Sequence, residues 1–131
     1  MEDCVFCDLS NRAEQGIIFE DERCVVVLDK YPVSKGHMLV VSKTHTKDMI
    51  EAGETLSAPM FEVARRMAQK AVKKLGASGV NVTTNIGKSA GQLVFHFHIH
   101  VIPRYDAPPE GFERHKEPSA TEKRDLVSRL K

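Results

Sequence analysis

Three features of the 131-residue chain predict an α+β fold built on a mainly antiparallel sheet. Short β-prone runs follow one another closely, one long segment has helical periodicity, and no repeating strand–helix alternation is present. The first two strands are Ile17–Glu20 and Cys24–Leu28, joined by the charged turn "DER". They read as a hairpin, although the turn lacks the Asn-Gly pair that most favours one. Pro32 and Gly36 punctuate the chain before a third strand at about His37–Ser42. From Leu56 to Leu75, Met60, Ala64, Met67, Ala71 and Leu75 recur every three or four residues, and Val63, Ala68 and Val72 widen the stripe. Arg65, Arg66, Gln69, Lys70, Lys73 and Lys74 take the other faces, and Gly76 supplies a stop. This stripe predicts core or a subunit interface rather than a cofactor box. "GVNVTTNIG" reads as a fourth strand and "LVFHFHIHVI" as a fifth. "APPEGFERHKEP" is a Pro-rich loop, and "SATEKRDLVSRLK" opens a short C-terminal helix, with Ser119 and Glu122 at capping-box spacing. No internal repeat or linker divides the chain, so residues 1–131 are expected to form one domain, with its core at about 4–105 and a tail at 106–131.

Composition narrows the partners. A hydrophobic content of 41% and a charged content of 28% are those of an ordinary soluble globular protein. Nineteen basic against eighteen acidic residues give no electrostatic case for nucleic acid or a membrane surface as the main partner. No run approaches the roughly 20 apolar residues of a membrane span, and "MEDCVFCDLS" has no signal-peptide character. Three cysteines suit a disulfide framework poorly, and a cytoplasmic protein with reduced thiols is expected.

Chemistry concentrates in "HFHIHVIPR", where His96, His98 and His100 alternate with apolar residues. On a continuous strand the three imidazoles share one face while Phe97, Ile99 and Val101 share the other. Packing alone gives little reason for three nitrogen bases in a row. A second cluster, "CVFC", sets Cys4 and Cys7 at C-x-x-C spacing. Such a pair is either a redox dithiol or half of a zinc site that needs two further ligands. A redox motif normally follows a strand, and nothing before Cys4 could form one. Cys24 reads as a core side chain and His115 as a surface residue. "NIGKSAGQLV" contains Gly87-Lys88-Ser89, but a P-loop needs a glycine at position 82, where Val82 stands, and a helix afterwards. A nucleotide-triphosphate P-loop is excluded, although a Gly-rich loop can still present N–H groups to a phosphate.

The residues taken together resemble the histidine-triad (HIT) superfamily. His96-Phe97-His98-Ile99-His100-Val101-Ile102 matches its H-φ-H-φ-H-φ-φ signature, where φ is apolar. "CVFCDL", "IIFEDERCVVVLDKYPVSKGHMLVVSKTH", "NIGKSAGQ" and "HFHIHVIPRY" follow the order and spacing of microbial members, the zinc-containing Hint/Fhit-like branch. The resemblance implies a HIT-like fold: a five-stranded sheet with one long helix and a short C-terminal one. It further implies a homodimer with a continuous ten-stranded sheet, the striped helix packing across the interface. The implied activity is that of a hydrolase or transferase working at the α-phosphate of nucleoside phosphoramidates or (di)nucleoside polyphosphates, a purine nucleotide being the expected substrate.

By position, His98 corresponds to the nucleophile that forms a covalent nucleotidyl-histidine. His100 corresponds to the residue that bonds the phosphate and assists the leaving group, and His37 to one that supports it. Gln92 and Asn85 fall at positions near the phosphates, and Asp29 at the ribose hydroxyls. Phe6, Leu9, Val27 and Leu28 would line the base pocket; for Phe6 and Val27 simple core packing is the competing reading. The resemblance assigns one structural zinc per chain to Cys4, Cys7, His45 and His96. Leu93 departs from the pattern, because relatives carry Ser or Thr there. That change favours an alternative in which the chain is a zinc-stabilised nucleotide-binding protein with little turnover. A further alternative is a metalloenzyme with His96, His98 and His100 on one metal.

Overall fold

The computed structural model describes Cys4, Phe6, Cys7, residues 16–106, Gly111 and residues 113–131. Its five strands are β1 (Phe19–Glu20), β2 (Cys24–Leu28), β3 (Met38–Ser42), β4 (Gly79–Thr83) and β5 (His98–Arg104). They form one sheet in the order β1-β2-β3-β5-β4, and every pairing is antiparallel. It is accompanied by the α-helices α1 (Met49–Ala52), α2 (Glu54–Leu75) and α3 (Ala120–Leu130). The α+β class is as the sequence predicts. No helix among the described residues is long and apolar enough to cross a membrane.

The first hairpin closes without an Asn-Gly turn because Asp21 replaces it. Its carboxylate accepts the Arg23 and Cys24 N–H groups at 2.8 and 2.9 Å, the local bonding that makes Asp a turn former. Gly36 then turns the chain into β3 at φ 84°. That left-handed conformation favours glycine, and a Cβ there would also press on Leu75 Cδ1 of α2, which would have to shift.

Strand alternation divides the sheet into two faces. Cys24, Val26, Met38, Val40, Ile99 and Val101 face α2, where Met60, Val63, Ala64, Met67 and Ala71 complete the main core. The Met and Ala stripe is therefore spent on the chain's own sheet. The reading of the stripe as core holds for these residues, while Val72, which the stripe included, is exposed. Cys24 is fully buried in this core, and burial pushes its thiol up to about 12, so it is an inert packing residue. The opposite face carries a smaller cluster of Val25, Val27, Leu39 and Val41, with Phe6 and Ile17 packed against it. Alongside that cluster lie His98 and His100.

Several boundaries differ from the sequence reading; β1 begins at Phe19 rather than Ile17, and α2 at Glu54 rather than Leu56. β5 begins at His98 rather than near Leu93. The Ser42 N–H still donates to the Phe97 carbonyl at 3.2 Å, but the Phe97 N–H goes to the Thr46 carbonyl and the Ser42 carbonyl meets His96 Nε2. The ladder with β3 therefore stops at Val41 and His98, and the ladder with β4 stops at Thr83 and His100. β3 ends at Ser42, and Lys43 turns to donate to the Arg23 carbonyl. β4 stops at Thr83, and the Thr84 hydroxyl bonds the His98 carbonyl instead. His96 thus precedes the strand, and the three histidines do not share one strand face. The short α1 was not foreseen. Asp48 caps it by accepting the Glu51 N–H, and Glu51 reaches back to the Lys47 N–H, so its D-x-x-E spacing was the available signal.

Candidate active site and metal centre

His98 and His100 project from β5 on the face opposite α2, His37 enters β3 on that face, and Asp29 follows β2. A cavity of about 830 Å³ lies over them, with Phe6, Leu28, Asp29, Asn85, Gln92, Leu93, His98, His100 and Arg114 among its lining. The loop between β4 and β5 forms one wall. Phe97 donates its N–H to the Thr46 carbonyl at 2.7 Å, which ties that loop to the segment carrying His45.

The backbone fixes the proton on His37, His98 and His96, and His37 fixes it on His100. Val33 N–H donates to His37 Nδ1 at 2.9 Å. A ring nitrogen that accepts has no proton, so neutral His37 carries its proton on Nε2. That Nε2 lies 3.0 Å from His100 Nδ1 and 3.5 Å from an Asp29 oxygen. The shorter contact makes His100 Nδ1 an acceptor and puts its proton on Nε2. His98 is set the other way. Its Nδ1 lies 2.6 Å from the His96 carbonyl, which can only accept, so Nδ1 holds the proton and Nε2 keeps a lone pair. His96 Nε2 lies 2.6 Å from the Ser42 carbonyl, which leaves the lone pair on Nδ1.

Burial keeps all four neutral. It is the main cause that lowers His37 to about 4 and His100 to about 3, and it lowers His96 and His98 as well. Asp29 opposes the shift at His37, but burial prevails. At pH 7 the site therefore holds a neutral lone-pair nitrogen on His98 beside a neutral N–H donor on His100. A lone-pair nitrogen beside an N–H donor is chemically able to act as a nucleophile with an adjacent oxyanion donor.

Cys4, Cys7, His45 and His96 converge, their four ligand atoms all within 4.8 Å of one another. His96 Nδ1 lies 3.2 Å from Cys4 Sγ and 3.4 Å from Cys7 Sγ, and His45 Nδ1 lies 3.2 Å from Cys7 Sγ. A tetrahedral zinc with ordinary bond lengths has N···S edges of about 3.6 Å. Two thiols and two imidazoles at this spacing, with the His96 lone pair already turned inward, fit that ion. The donors are compatible with zinc, and the dithiol faces imidazoles rather than a redox partner. Asp29, His37 and His100 also lie close enough to share a metal. They fit one poorly, because a metal on His37 Nε2 would need the proton on Nδ1, where the Val33 N–H already points. His96 faces thiols, and no group of His96, His98 and His100 forms a metal cluster among the described residues.

The other expected site residues fare unequally. Asp29 lines the cavity, its Oδ1 accepting the Tyr31 N–H at 2.9 Å. Asn85 lines it too, with its amide nitrogen a distant 3.5 Å from the Gly91 carbonyl. Gln92 is buried, and its amide accepts the Gly87 N–H while donating to the Lys47 and Val94 carbonyls. Its donors are spent on bracing the loop. Leu28 lines the cavity, and so does Phe6, whose ring meets His98 edge-on at 4.6 Å. Val27 does not line it and belongs to the apolar cluster beneath. Leu9 lies outside the described residues. Leu93 is 86% exposed at the cavity mouth, and His115 is exposed there as well. Arg114 was missed: its Nη1 lies 2.5 Å from Asp29 Oδ2, a contact spanning 85 positions with no local signal.

Comparison with known proteins agrees with this geometry. The family model for the HIT domain matches residues 10–107. The crystal structure of a hypothetical histidine triad nucleotide-binding protein from Sulfolobus tokodaii superposes with a TM-score of 0.87 at 36% identity, covering 97% of this chain and 89% of that one. A zinc-bound histidine triad family protein from Mycobacterium smegmatis gives 0.83 at 37% identity, covering 98% and 94%. An adenylylsulfatase, HINT3, of Arabidopsis thaliana is 34% identical over 131 residues, 96% of this chain and 66% of that protein. With its triad, its sheet and its family match in agreement, this chain belongs to the HIT family.

Proposed function

We propose that the protein is a nucleotide hydrolase or nucleotidyl transferase acting at an α-phosphate through a covalent nucleotidyl-His98. The observation that carries this reading is the 2.6 Å bond from His98 Nδ1 to the His96 carbonyl, which leaves Nε2 unprotonated beside the cavity. In the first step Nε2 attacks phosphorus and the leaving group departs with the bonding pair. The His96 carbonyl stabilises the positive charge that develops on the His98 ring, and the His100 N–H meets the charge on the phosphoryl oxygen. In the second step water attacks phosphorus and releases a proton to solvent, the P–N bond breaks, and the electron pair returns to Nε2. Asp29 would bind the ribose hydroxyls, and Phe6 and Leu28 the base, a purine. The activity in the name of the Arabidopsis relative, cleavage of an adenylyl group from sulfate, supports chemistry of this class. The alternative of a binder with little turnover draws on Leu93, whose exposed apolar side chain offers the departing group no hydroxyl.

Incubation with a reactive nucleoside phosphoramidate or dinucleoside polyphosphate is expected to trap an adduct that dissolves in mild acid and survives base. His98→Ala is expected to lose the adduct and to lower turnover by several orders of magnitude. Near-normal turnover by that variant overturns the nucleophile assignment, and tight nucleotide binding without turnover by the wild type favours the alternative. Only the neutral ring attacks, and burial lowers the His98 pKa from 6.5. The kcat/KM profile is therefore expected to be level at neutral pH and to fall with acidification only below pH 6.5; a midpoint above 6.5 contradicts it.

Zinc would sit on Cys4, Cys7, His45 and His96, holding the N-terminal segment against the start of β5. Its role is structural, and the ion supplies cross-linking rather than chemistry. Elemental analysis is expected to find one zinc per chain, lost together with thermal stability in Cys4→Ser and His96→Ala. An anomalous map with the ion on His98 and His100 would refute this.

A homodimer is the proposed assembly. Among the described residues β4 ends the sheet with one side unpaired, and Val82 on it and Val72 on α2 are exposed. Pairing two β4 edges would extend the sheet to ten strands and cover an open ladder. Light scattering is expected to give twice the 14.7 kDa chain mass; a monomer at all concentrations would rule it out.

A further inference from the structure

Arg114 lies beyond the residues 10–107 that match the family domain, yet it reaches into the site. Its Nη1 donates to Asp29 Oδ2 at 2.5 Å and to the Tyr31 carbonyl at 2.8 Å. The Asp29 side chain is 10% exposed, and the Tyr31 N–H holds its other oxygen. Resting on the nucleotide reading above, we propose that Arg114 is a positioning residue: it holds the Asp29 carboxylate at the angle that receives the two ribose hydroxyls, and so gives the site its selection for a ribonucleotide.

The argument follows from counting acceptors. An ionised carboxylate offers roughly four lone-pair sites. Tyr31 N–H takes one on Oδ1 and Arg114 one on Oδ2, so about two remain for a vicinal diol. Both occupied sites are backed by rigid neighbours, because Tyr31 contributes main-chain atoms to each partner: its N–H to Asp29 and its carbonyl to Arg114. Charge-assisted bonds of this kind are stronger than neutral ones and directional, so the pair fixes orientation as well as charge. Removing the guanidinium takes the charged donor from Oδ2, and His37 Nε2, 3.5 Å away, does not replace it because its proton goes to His100 Nδ1. The carboxylate is then held through Oδ1 alone and is free to turn away from the diol. A surface salt bridge with no such task would stabilise by little, and Arg114 is itself 45% exposed. Its value lies in aiming Asp29.

The test compares AMP with 2′,3′-dideoxy-AMP by titration calorimetry on the zinc-loaded full chain. Wild type is expected to prefer AMP by about tenfold, the worth of one to two well-made hydrogen bonds to a charged group. Arg114→Gln is expected to lose that preference, weakening AMP by about tenfold and leaving the dideoxy compound within about twofold. In an Asp29→Asn background the same substitution is expected to leave the ratio unchanged. A full preference for AMP in Arg114→Gln, or additive effects of the two substitutions, overturns the proposal while the nucleotide reading stands. Failure of wild type to bind AMP overturns the nucleotide reading and the proposal with it. If Arg114→Gln does not fold, Arg114→Glu, which repels Asp29, serves in its place with the same expected loss of preference.

Discussion

The site depends on one constraint: main-chain groups decide which nitrogen of His37, His96 and His98 bears the proton, and His37 passes that choice on to His100. Val33 N–H at His37, the His96 carbonyl at His98 and the Ser42 carbonyl at His96 are all within 2.9 Å. A side-chain partner could rotate away, but these belong to strands or to segments bonded to them. Chemically identical rings thereby become different devices: His98 offers a lone pair, His100 an N–H donor, and His96 a lone pair aimed at thiols. Burial keeps them neutral, so the pattern holds without exact control of pH.

The end of β3 makes this division possible. Were β5 paired as far back as His96, strand alternation would place His96 beside His98 on the cavity face. The ladder ends at Val41 and His98 instead, and the freed residue turns to Cys4, Cys7 and His45. Its carbonyl remains to hold His98. One residue thus links the metal-fitting cluster to the candidate nucleophile: its side chain faces the ligands, and its backbone sets the tautomer. The zinc-fitting cluster and the chemistry are adjacent without sharing an ion.

Much of this was legible in the sequence, for physical reasons that also mark its limits. Helical spacing of Met60, Ala64, Met67 and Ala71 found α2, since burial against a sheet imposes that period. Cys4, Cys7, His45 and His96 came from the resemblance, and their side chains do converge. The extent of β5 was not readable, because "LVFHFHIHVI" has uniform strand character and what ends it is the diversion of the Phe97 N–H to the distant Thr46 carbonyl. Val27 looked like pocket and is floor, a difference of one side chain's depth that composition does not encode. Gln92 has the right chemistry for a phosphate, but the Lys47 and Val94 carbonyls already hold its donors. Arg114 sits in a Pro-rich charged tail, where one arginine among several polar residues carries no mark of its distant partner.

Nitrogen-15 NMR of the imidazole rings, with couplings that report which nitrogen bears the proton, tests this division most directly. At pH 7 the account requires neutral rings: Nδ1–H at His98, and Nε2–H at His37, His100 and His96. Titration to pH 5 is expected to leave His37 and His100 neutral, since burial holds them at about 4 and about 3. An Nε2–H tautomer at His98, or an imidazolium at His37 or His100 near neutrality, would contradict it.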